Sequence, residues 1–373
     1  MDYGRGQGRG QGRGQGRGQG RGQGRGQGRG QGDAAADHAG GGSSPLLSDS
    51  LSAVHDGIVG YWDGEPFAIP AEWLGSPHDH EAAYLTPETR GDLLDSLLMG
   101  QCAVEGGGHS ATLKIGGVRA FLLTTPPPAF FRKQLPLVRA YADLRSDRIG
   151  EIHVQIDDML SFFGLVGLLD NGRRKYTLEL LSAVIRLAVH AEMPIKHFCR
   201  SPRPIDYSAD IQPVVQTPDH SSFPSGHAME SFAAATVLHR LAEGRAYPAK
   251  LGFKSPPFRI AHRIAVNRTV AGVHFPVDSM AGALIGCKIG DAVHRMALGA
   301  SAGAAGGFAP RDAGDGAIPA MGPTGRARFA AGDDFTLDAL ASHTAPAAVT
   351  GTPAATVLGE IWRLAQAEWP APV

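Results

Sequence analysis

The sequence RRKYTLELLSAVIRLAVHAEM, residues 173–193, repeats apolar side chains every three to four positions. This spacing places them along one face of an α-helix. Pro194 predicts the end of this helix, and Pro276 stands where another often begins. The same period recurs in residues 148–169, 227–241, 257–272 and 276–298. We therefore predict an all-α fold, a helical bundle, with a catalytic domain at residues 131–298.

The chain before this bundle has two parts of different composition. Residues 1–45 carry a Gly-Arg-Gly-Gln repeat, which cannot bury apolar surface and predicts a disordered tail. Residues 46–130 have an uncertain fold, although ATLKIGGVRAFLLTT, residues 111–125, predicts two short strands around a Gly-Gly turn. We expect a small irregular or β-containing segment here. Three prolines at 126–128 mark its boundary with the bundle.

The carboxyl end is predicted to be a linker followed by one more helix. Residues 299–355 are rich in Gly, Ala and Pro, which is typical of a linker. Residues 356–373 predict an amphipathic helix through Val357, Ile361, Leu364 and Trp369. Because no segment has about 18 continuous apolar residues, we predict a soluble protein without a membrane span.

Charge and cysteine content narrow the class of protein. The formal net charge is -1, and residues 1–32 hold seven Arg against one Asp, so the rest of the chain is acidic. An acidic body makes nucleic acid an unlikely partner. The three Cys are widely spaced and form no CxxC pair, which argues against a disulfide framework or a zinc cluster. Since a secretory signal is also missing, we expect a cytoplasmic protein.

The first candidate motif is KHFCRSPRP, residues 196–204. Pro202 and Pro204 favour an extended backbone at Arg203, which aims its guanidinium in one direction. A guanidinium suits two-oxygen contact with an oxyanion, and Lys196 adds a point charge. A solvated basic loop is the alternative interpretation.

The second motif is PSGH, residues 224–227, at the start of a predicted helix. Ser225 is expected to cap this helix, and Gly226 leaves the first amides uncovered, where the helix dipole favours an anion. The alternative is an ordinary helix start with a solvated His227.

The third motif is RTVAGVHFPVD, residues 268–278. Arg268 supplies a third cation. Asp278 is expected in the first turn of a helix, four residues after His274, where its carboxylate can accept a hydrogen bond from one imidazole nitrogen. Such a contact fixes the tautomer and makes the other nitrogen a nucleophile. On its own, the pair would more often lie on a helix surface.

In their order and spacing, these stretches resemble the three motifs of the superfamily that joins type 2 phosphatidic acid phosphatases, bacterial class A acid phosphatases and vanadium-dependent haloperoxidases. The resemblance covers roughly residues 145–298. It implies that His274 bonds to the central atom of an oxyanion, that His227 is the acid–base group and that Asp278 orients His274. It also implies which groups hold the oxyanion: Lys196, Arg203, Ser225, Gly226 and Arg268. Asn267 stands where the family usually has Ser, and we expect the site to tolerate this change.

The resemblance leaves two reactions open. One is hydrolysis of a small-molecule phosphate ester through a phosphohistidine, with neither metal nor cofactor. The other is a haloperoxidase reaction of halide and peroxide, with vanadate as cofactor and His274 bonded to vanadium. For the second, His220 lies where bromide-oxidising relatives tend to carry a His.

Linker lengths favour the phosphatase, because only 19 residues separate Pro204 from Pro224 and 40 separate His227 from Arg268. A non-catalytic phosphate-binding module is a third possibility. By analogy with relatives, a homodimer is also possible.

Overall fold

The computed structural model describes residues 45–59, 82–83, 85–242, 249–300, 306–308, 329–343 and 351–369. Most of the predicted tail, 1–45, and much of the predicted linker, 299–355, lie outside the described residues. The helices are α1 Pro45–Val59, α2 Pro87–Gly100, α3 Pro128–Tyr141, α4 Arg145–Asp157, α5 Leu160–Gly167, α6 Lys175–Cys199, α7 Pro204–Tyr207, α8 Gly226–Ala242, α9 Pro256–Val270, α10 Pro276–Ala297, α11 Leu337–His343 and α12 Val357–Ala367. The strands are β1 Cys102–Gly107, β2 Ser110–Ile115, β3 Val118–Thr124 and β4 Gly306–Phe308. The predicted helical bundle is confirmed.

Helix α8 lies at the centre of the bundle. Every residue from Ala228 to Ala242 is buried, so this helix has no solvent-facing side. It packs most closely against α10, where a side chain at Gly282 or Gly286 would collide with the α8 backbone. A Cβ atom would lie 2.3 Å from Ser225 O in the first case and from Met229 O in the second. These glycines therefore allow the close approach that brings the start of α8 against the start of α10.

The predicted helix end at Pro194 is wrong, because α6 continues through this proline to Cys199. A proline inside a helix removes one backbone hydrogen bond at a cost of about 3 kcal/mol. Ala191, Ile195 and Cys199 are all fully or almost fully buried on both sides of the proline. Their burial offsets that cost and carries the helix into the first motif, so Lys196 lies in its last turn.

The helix predicted over residues 148–169 is two helices, α4 and α5. Asp158 interrupts it with extended backbone angles, φ −138 and ψ 103. Its side chain then accepts a hydrogen bond from Ser161 N at 3.0 Å. An Asp side chain can thus bind a backbone amide in place of the helical hydrogen bond and interrupt the helix. The spacing of apolar residues alone does not reveal this interruption.

The Gly-Gly turn and its two strands are confirmed as β2 and β3. Gly116 and Gly117 have φ of +62 and +76, the left-handed region that a tight hairpin turn needs. Two further strands were missed: β1 pairs antiparallel with β2, and β4 pairs parallel with β3. Leu113, Phe121 and Leu123 are buried and belong to the same core as the helices.

The predicted carboxyl-terminal helix forms, as α12, and docks on the bundle. Trp362 is 1% exposed, and its ring lies 4.9 Å from that of His294. Beyond the helix, the Glu368 carboxylate accepts hydrogen bonds from Tyr176 N at 2.7 Å and Thr177 N at 2.9 Å. Glu368 thereby satisfies amides at the start of α6, which fixes the helix that leads to the first motif. In the described part of the chain, no helix is both long and apolar enough to span a bilayer.

Candidate active site

The two cations of the first motif are buried and point inward. Lys196 is 1% exposed, and its Nζ donates to Ser221 O at 2.9 Å. Arg203 immediately precedes α7 and is 3% exposed. Its guanidinium donates to Val273 O at 2.9 Å and contacts His274 Nε2 at 3.0 Å. Because both cations are buried and hydrogen-bonded, the first motif is not a solvated basic loop.

The two residues of the second motif that were predicted to bind an anion, Ser225 and Gly226, have different positions in the structure. Ser225 is fully buried, its amide donates to Asp278 O at 2.9 Å, and its Oγ accepts from Ala228 N at 3.5 Å. Ser225 therefore caps α8 and ties it to α10, and it does not line the cavity described below. Gly226 does line that cavity.

The third motif places a cation and an imidazole beside each other. Arg268, in the last turn of α9, donates from Nη2 to Ile152 O at 2.9 Å and lies 3.5 Å from His227 Nε2 through Nη1. His227 Nε2 is also within 3.1 Å of Gln155 O, to which it can donate. Arg268 Nε has no hydrogen-bond partner among the described residues. A buried guanidinium N–H of this kind is available to an incoming acceptor.

His274 and Asp278 form the predicted pair. His274 Nδ1 lies 3.1 Å from Asp278 Oδ2. The same carboxylate oxygen accepts from Phe275 N at 2.9 Å and from Ser222 Oγ. Since Nδ1 faces a carboxylate and Nε2 faces a guanidinium, the geometry favours the tautomer with its proton on Nδ1. The Nε2 lone pair is then the reactive position.

These groups surround one cavity of about 70 Å³. Its lining includes six of the eight predicted site residues: Lys196, Arg203, Gly226, His227, Arg268 and His274. Asp278 lies behind His274. In the described ranges, no group of three or more His, Cys, Asp or Glu residues is arranged to hold a metal ion.

Burial sets the protonation of the two histidines. It lowers the pKa of His274 well below the usual range, and the charges of Arg203 and Lys196 act in the same direction. Burial, followed by the charge of Arg268, also lowers the pKa of His227 strongly. Both imidazoles are therefore neutral near pH 7, so His274 keeps its lone pair.

Burial shifts the pKa values of the three cations downward and that of the Asp278 carboxylate upward. Burial lowers the pKa of Lys196 to about 8, and those of Arg203 and Arg268 to about 10. All three remain largely charged near pH 7. Burial raises the pKa of Asp278 to about 6, against the opposing hydrogen bonds from Ser222 and Phe275 N. The cavity therefore presents positive charge to a bound group near neutral pH.

His220 lies at the edge of the cavity and contacts Arg203, one of its three cations. Its Nδ1 is 3.2 Å from Arg203 Nη2, and burial lowers its pKa to about 3. His220 also lines a wider, more open pocket of about 820 Å³, together with Lys196, Arg203 and Arg200. This pocket lies beside the small cavity and shares its basic wall.

Asn267 takes no part in the cavity lining. Its Nδ2 donates to Gln155 Oε1 at 2.9 Å and its Oδ1 accepts from Arg148 at 3.0 Å. These bonds join α9 to α4, behind Arg268. The departure from Ser at this position therefore changes the support of Arg268 and leaves the lining unchanged.

Sequence reasoning missed two acidic residues, Glu192 and Glu230, which line the same cavity. Each lies four residues from a motif residue, Glu192 before Lys196 and Glu230 after Gly226. Because residues four apart share a helix face, this spacing was the available signal.

Comparison with known proteins places this site in a family. A family model described as the PAP2 superfamily matches residues 177–300. Decaprenylphosphoryl-5-phosphoribose phosphatase of Mycobacterium tuberculosis is 33% identical over 141 residues, which make up 38% of this chain and 71% of that protein.

Two solved structures are also similar. A bacterial vanadium-dependent iodoperoxidase has a TM-score of 0.33 and 19% identity, over 43% of this chain and 46% of that one. The transmembrane PAP2-type phosphatidylglycerolphosphate phosphatase from Bacillus subtilis has a TM-score of 0.33 and 21% identity, over 44% of this chain and 84% of that one. This chain thus spans less than half the length of the iodoperoxidase.

The region matched by the family model contains all three motifs, and the mycobacterial phosphatase is matched over more than two thirds of its length. The chain belongs to the PAP2 superfamily.

Proposed function

We propose that this chain hydrolyses phosphoric esters through a phosphohistidine on His274, without a metal ion. Its family and its curated relatives support a phosphoester hydrolase. The observation that carries the finer proposal is the position of the His274 ring: Nδ1 lies 3.1 Å from Asp278, and Nε2 lies among the cations of the cavity.

The cations define how the phosphoryl group would be held. Lys196, Arg203 and Arg268 line one small cavity, and together they can stabilise charge on the equatorial oxygens of a transferring phosphoryl group. Three fixed cations supply the charge that a metal ion supplies in other phosphatases, which is why no metal is needed in this proposal. Arg203 can exchange its contact with His274 Nε2 for a phosphoryl oxygen, and this exchange uncovers the lone pair.

The reaction then follows from the two histidines. His274 Nε2 attacks phosphorus in line, the P–O bond to the alcohol breaks, and Asp278 stabilises the charge that develops on the imidazole. His227 gives a proton to the departing oxygen and later takes one from the attacking water. A bound phosphoryl dianion raises the pKa of His227, because opposite charge favours the protonated imidazole.

A vanadium-dependent haloperoxidase is the second candidate. The donor set fits vanadate as it fits phosphate, with His274 Nε2 placed to bond to vanadium and the same three cations placed to hold the oxygens. Bound vanadate would supply peroxide activation for halide oxidation. The observation that favours this candidate is His220, which contacts Arg203 at the edge of the cavity.

A paired turnover assay separates the two candidates. We expect the protein to hydrolyse an aryl phosphate in the presence of a metal chelator, and expect vanadate to inhibit as a mimic of the transition state. Peroxide-dependent bromination after vanadate loading is expected to stay at background. Bromination without hydrolysis would instead assign the haloperoxidase, and neither activity in a protein that still binds sulfate would assign a phosphate-binding module.

The pH profile of kcat/KM is expected to be bell-shaped, with its acid limb set by the pKa of Asp278 and its alkaline limb set by the pKa of Lys196. Activity falls as the pH drops through about 6, because protonated Asp278 no longer holds the imidazole. It falls again as the pH rises through about 8, because Lys196 loses its charge. A K196R variant keeps this charge, so the alkaline limb alone is expected to move upward. An alkaline limb unchanged in K196R would contradict the assignment.

A further inference from the structure

Two carboxylates share the cavity with the catalytic groups. Glu192, on α6, is 6% exposed, and Glu230, on α8, is 3% exposed. Both line the cavity beside His227 and Arg268. Neither has a role in the hydrolysis derived above, and burying a carboxylate is costly unless it is paired or hydrogen-bonded.

The Glu192 carboxylate lies against the groups that are expected to bind the oxyanion. Its Oε1 is 3.4 Å from Lys196 Nζ, so one cation of the cavity already has an anionic neighbour. It also lies on the first turn of α8, since a Cβ atom at Gly226 would be only 2.2 Å from Glu192 Oε1 and 2.4 Å from Oε2. In this structure, therefore, a protein carboxylate is the anion beside Lys196 and Gly226.

Glu230 completes a carboxylate pair. Burial raises the pKa of Glu230 well above its usual range, and the negative charge of the neighbouring Glu192 acts in the same direction. Glu230 Oε2 has no hydrogen-bond partner among the described residues. With its pKa raised in this way, the Glu230 side chain is neutral near pH 7. The other charged or titratable groups facing the pair are Lys196, Arg203, His220, His227, Arg268 and His274.

We propose that the Glu192 carboxylate, which lies against Lys196 and Gly226, is a built-in competitor for the oxyanion subsite, and that a phosphoryl group enters this subsite only when Glu192 moves away. The pair then determines specificity, because like charge penalises the more highly charged oxyanions most. This inference rests on the proposed function in one respect, namely that the cavity binds an oxyanion.

Sulfate is the probe that tests the proposal, because it stays a dianion near neutral pH and carries no proton of its own. Titration calorimetry slightly below pH 7, where Lys196 is charged, would compare wild type with E192Q and E230Q. We expect E192Q to bind sulfate at least about tenfold more tightly, because an amide replaces a carboxylate anion. We expect E230Q to change the affinity by less than about threefold, because an amide replaces a neutral carboxylic acid of the same shape.

The contrast between these two variants is decisive, since both replace one carboxyl group in the same cavity. An E105Q variant on β1, where Glu105 is exposed and pairs with Lys114, controls for net charge outside the cavity. Unchanged sulfate affinity in E192Q, or equal gains in E192Q and E230Q, would overturn the proposal.

The same variants separate this inference from the proposed function. If wild type binds sulfate but hydrolyses no phosphate ester, the hydrolase assignment fails while the E192Q comparison still applies. If hydrolysis proceeds but E192Q binds sulfate like wild type, the inference fails and the hydrolase assignment stands. Thermal unfolding of each variant confirms that the fold is retained.

Discussion

Replacing His274 with Ala is expected to lower kcat for phosphate-ester hydrolysis on the order of 10⁴-fold or more, since loss of a nucleophile removes the reaction path itself. The side chain is 4% exposed and lies inside a polar pocket, so the change removes the reactive nitrogen but no part of the apolar core. Steady-state hydrolysis of an aryl phosphate measures the loss.

A matched control for His274 is available on α6. His190 is exposed on that helix and lines neither of the two pockets described above, so an H190A variant is expected to retain wild-type activity. Sulfate binding to H274A is expected to persist, because the three cations remain. Hydrolysis by H274A at a rate near that of wild type would remove His274 from the mechanism and favour a simple binding module.

Asp278 is expected to give the second-largest loss, between about 10² and 10⁴-fold in kcat for an Asp278→Asn change. The three donors to this side chain, Ser222, Phe275 N and His274 Nδ1, all approach Oδ2. Oδ1 has no hydrogen-bond partner among the described residues. An Asn can therefore place its oxygen at the Oδ2 position and keep these three hydrogen bonds, so the variant removes the negative charge without breaking them.

The D278N variant tests the effect of the carboxylate charge separately from the effect of the local geometry. We expect its thermal midpoint to be no lower than that of wild type, because it replaces a buried carboxylate with a neutral amide of the same shape. The acid limb of the pH profile is expected to disappear with the carboxylate. A D92N variant, at an exposed position of α2, serves as the control. Retention of both the wild-type rate and the acid limb in D278N would show that Asp278 does not act on His274.

The fold was predictable where local physics decided it. Helices α8 and α10 follow from apolar period and from Pro276 at a helix start, and the β2–β3 hairpin follows from its two glycines. The predictions failed where long-range packing decided, as at Pro194, where burial of Ile195 and Cys199 carries α6 past the proline. The single helix predicted over residues 148–169 was wrong for the opposite reason, because a local hydrogen bond to the Asp158 side chain outweighed the helical period.

The sequence indicated which residues belong to the candidate site better than it indicated how they are arranged. The motifs contain four residues that line one cavity in the structure: Lys196, Arg203, Arg268 and His274. The sequence could not show that the Ser225 amide is committed to Asp278 O, because that contact depends on the close approach of α8 and α10. It also did not show Glu192, whose position beside Gly226 depends on how α6 crosses α8.

The most direct test of the hydrolase account is to trap the covalent intermediate. The protein would be mixed with a rapidly hydrolysed aryl phosphate, quenched in alkali and digested, and the phosphopeptides would be sequenced by mass spectrometry. The account predicts an alkali-stable, acid-labile phosphoryl group on His274, which is absent from the H274A variant. Rapid hydrolysis by wild type without label on His274, or with the label on another residue, would contradict it.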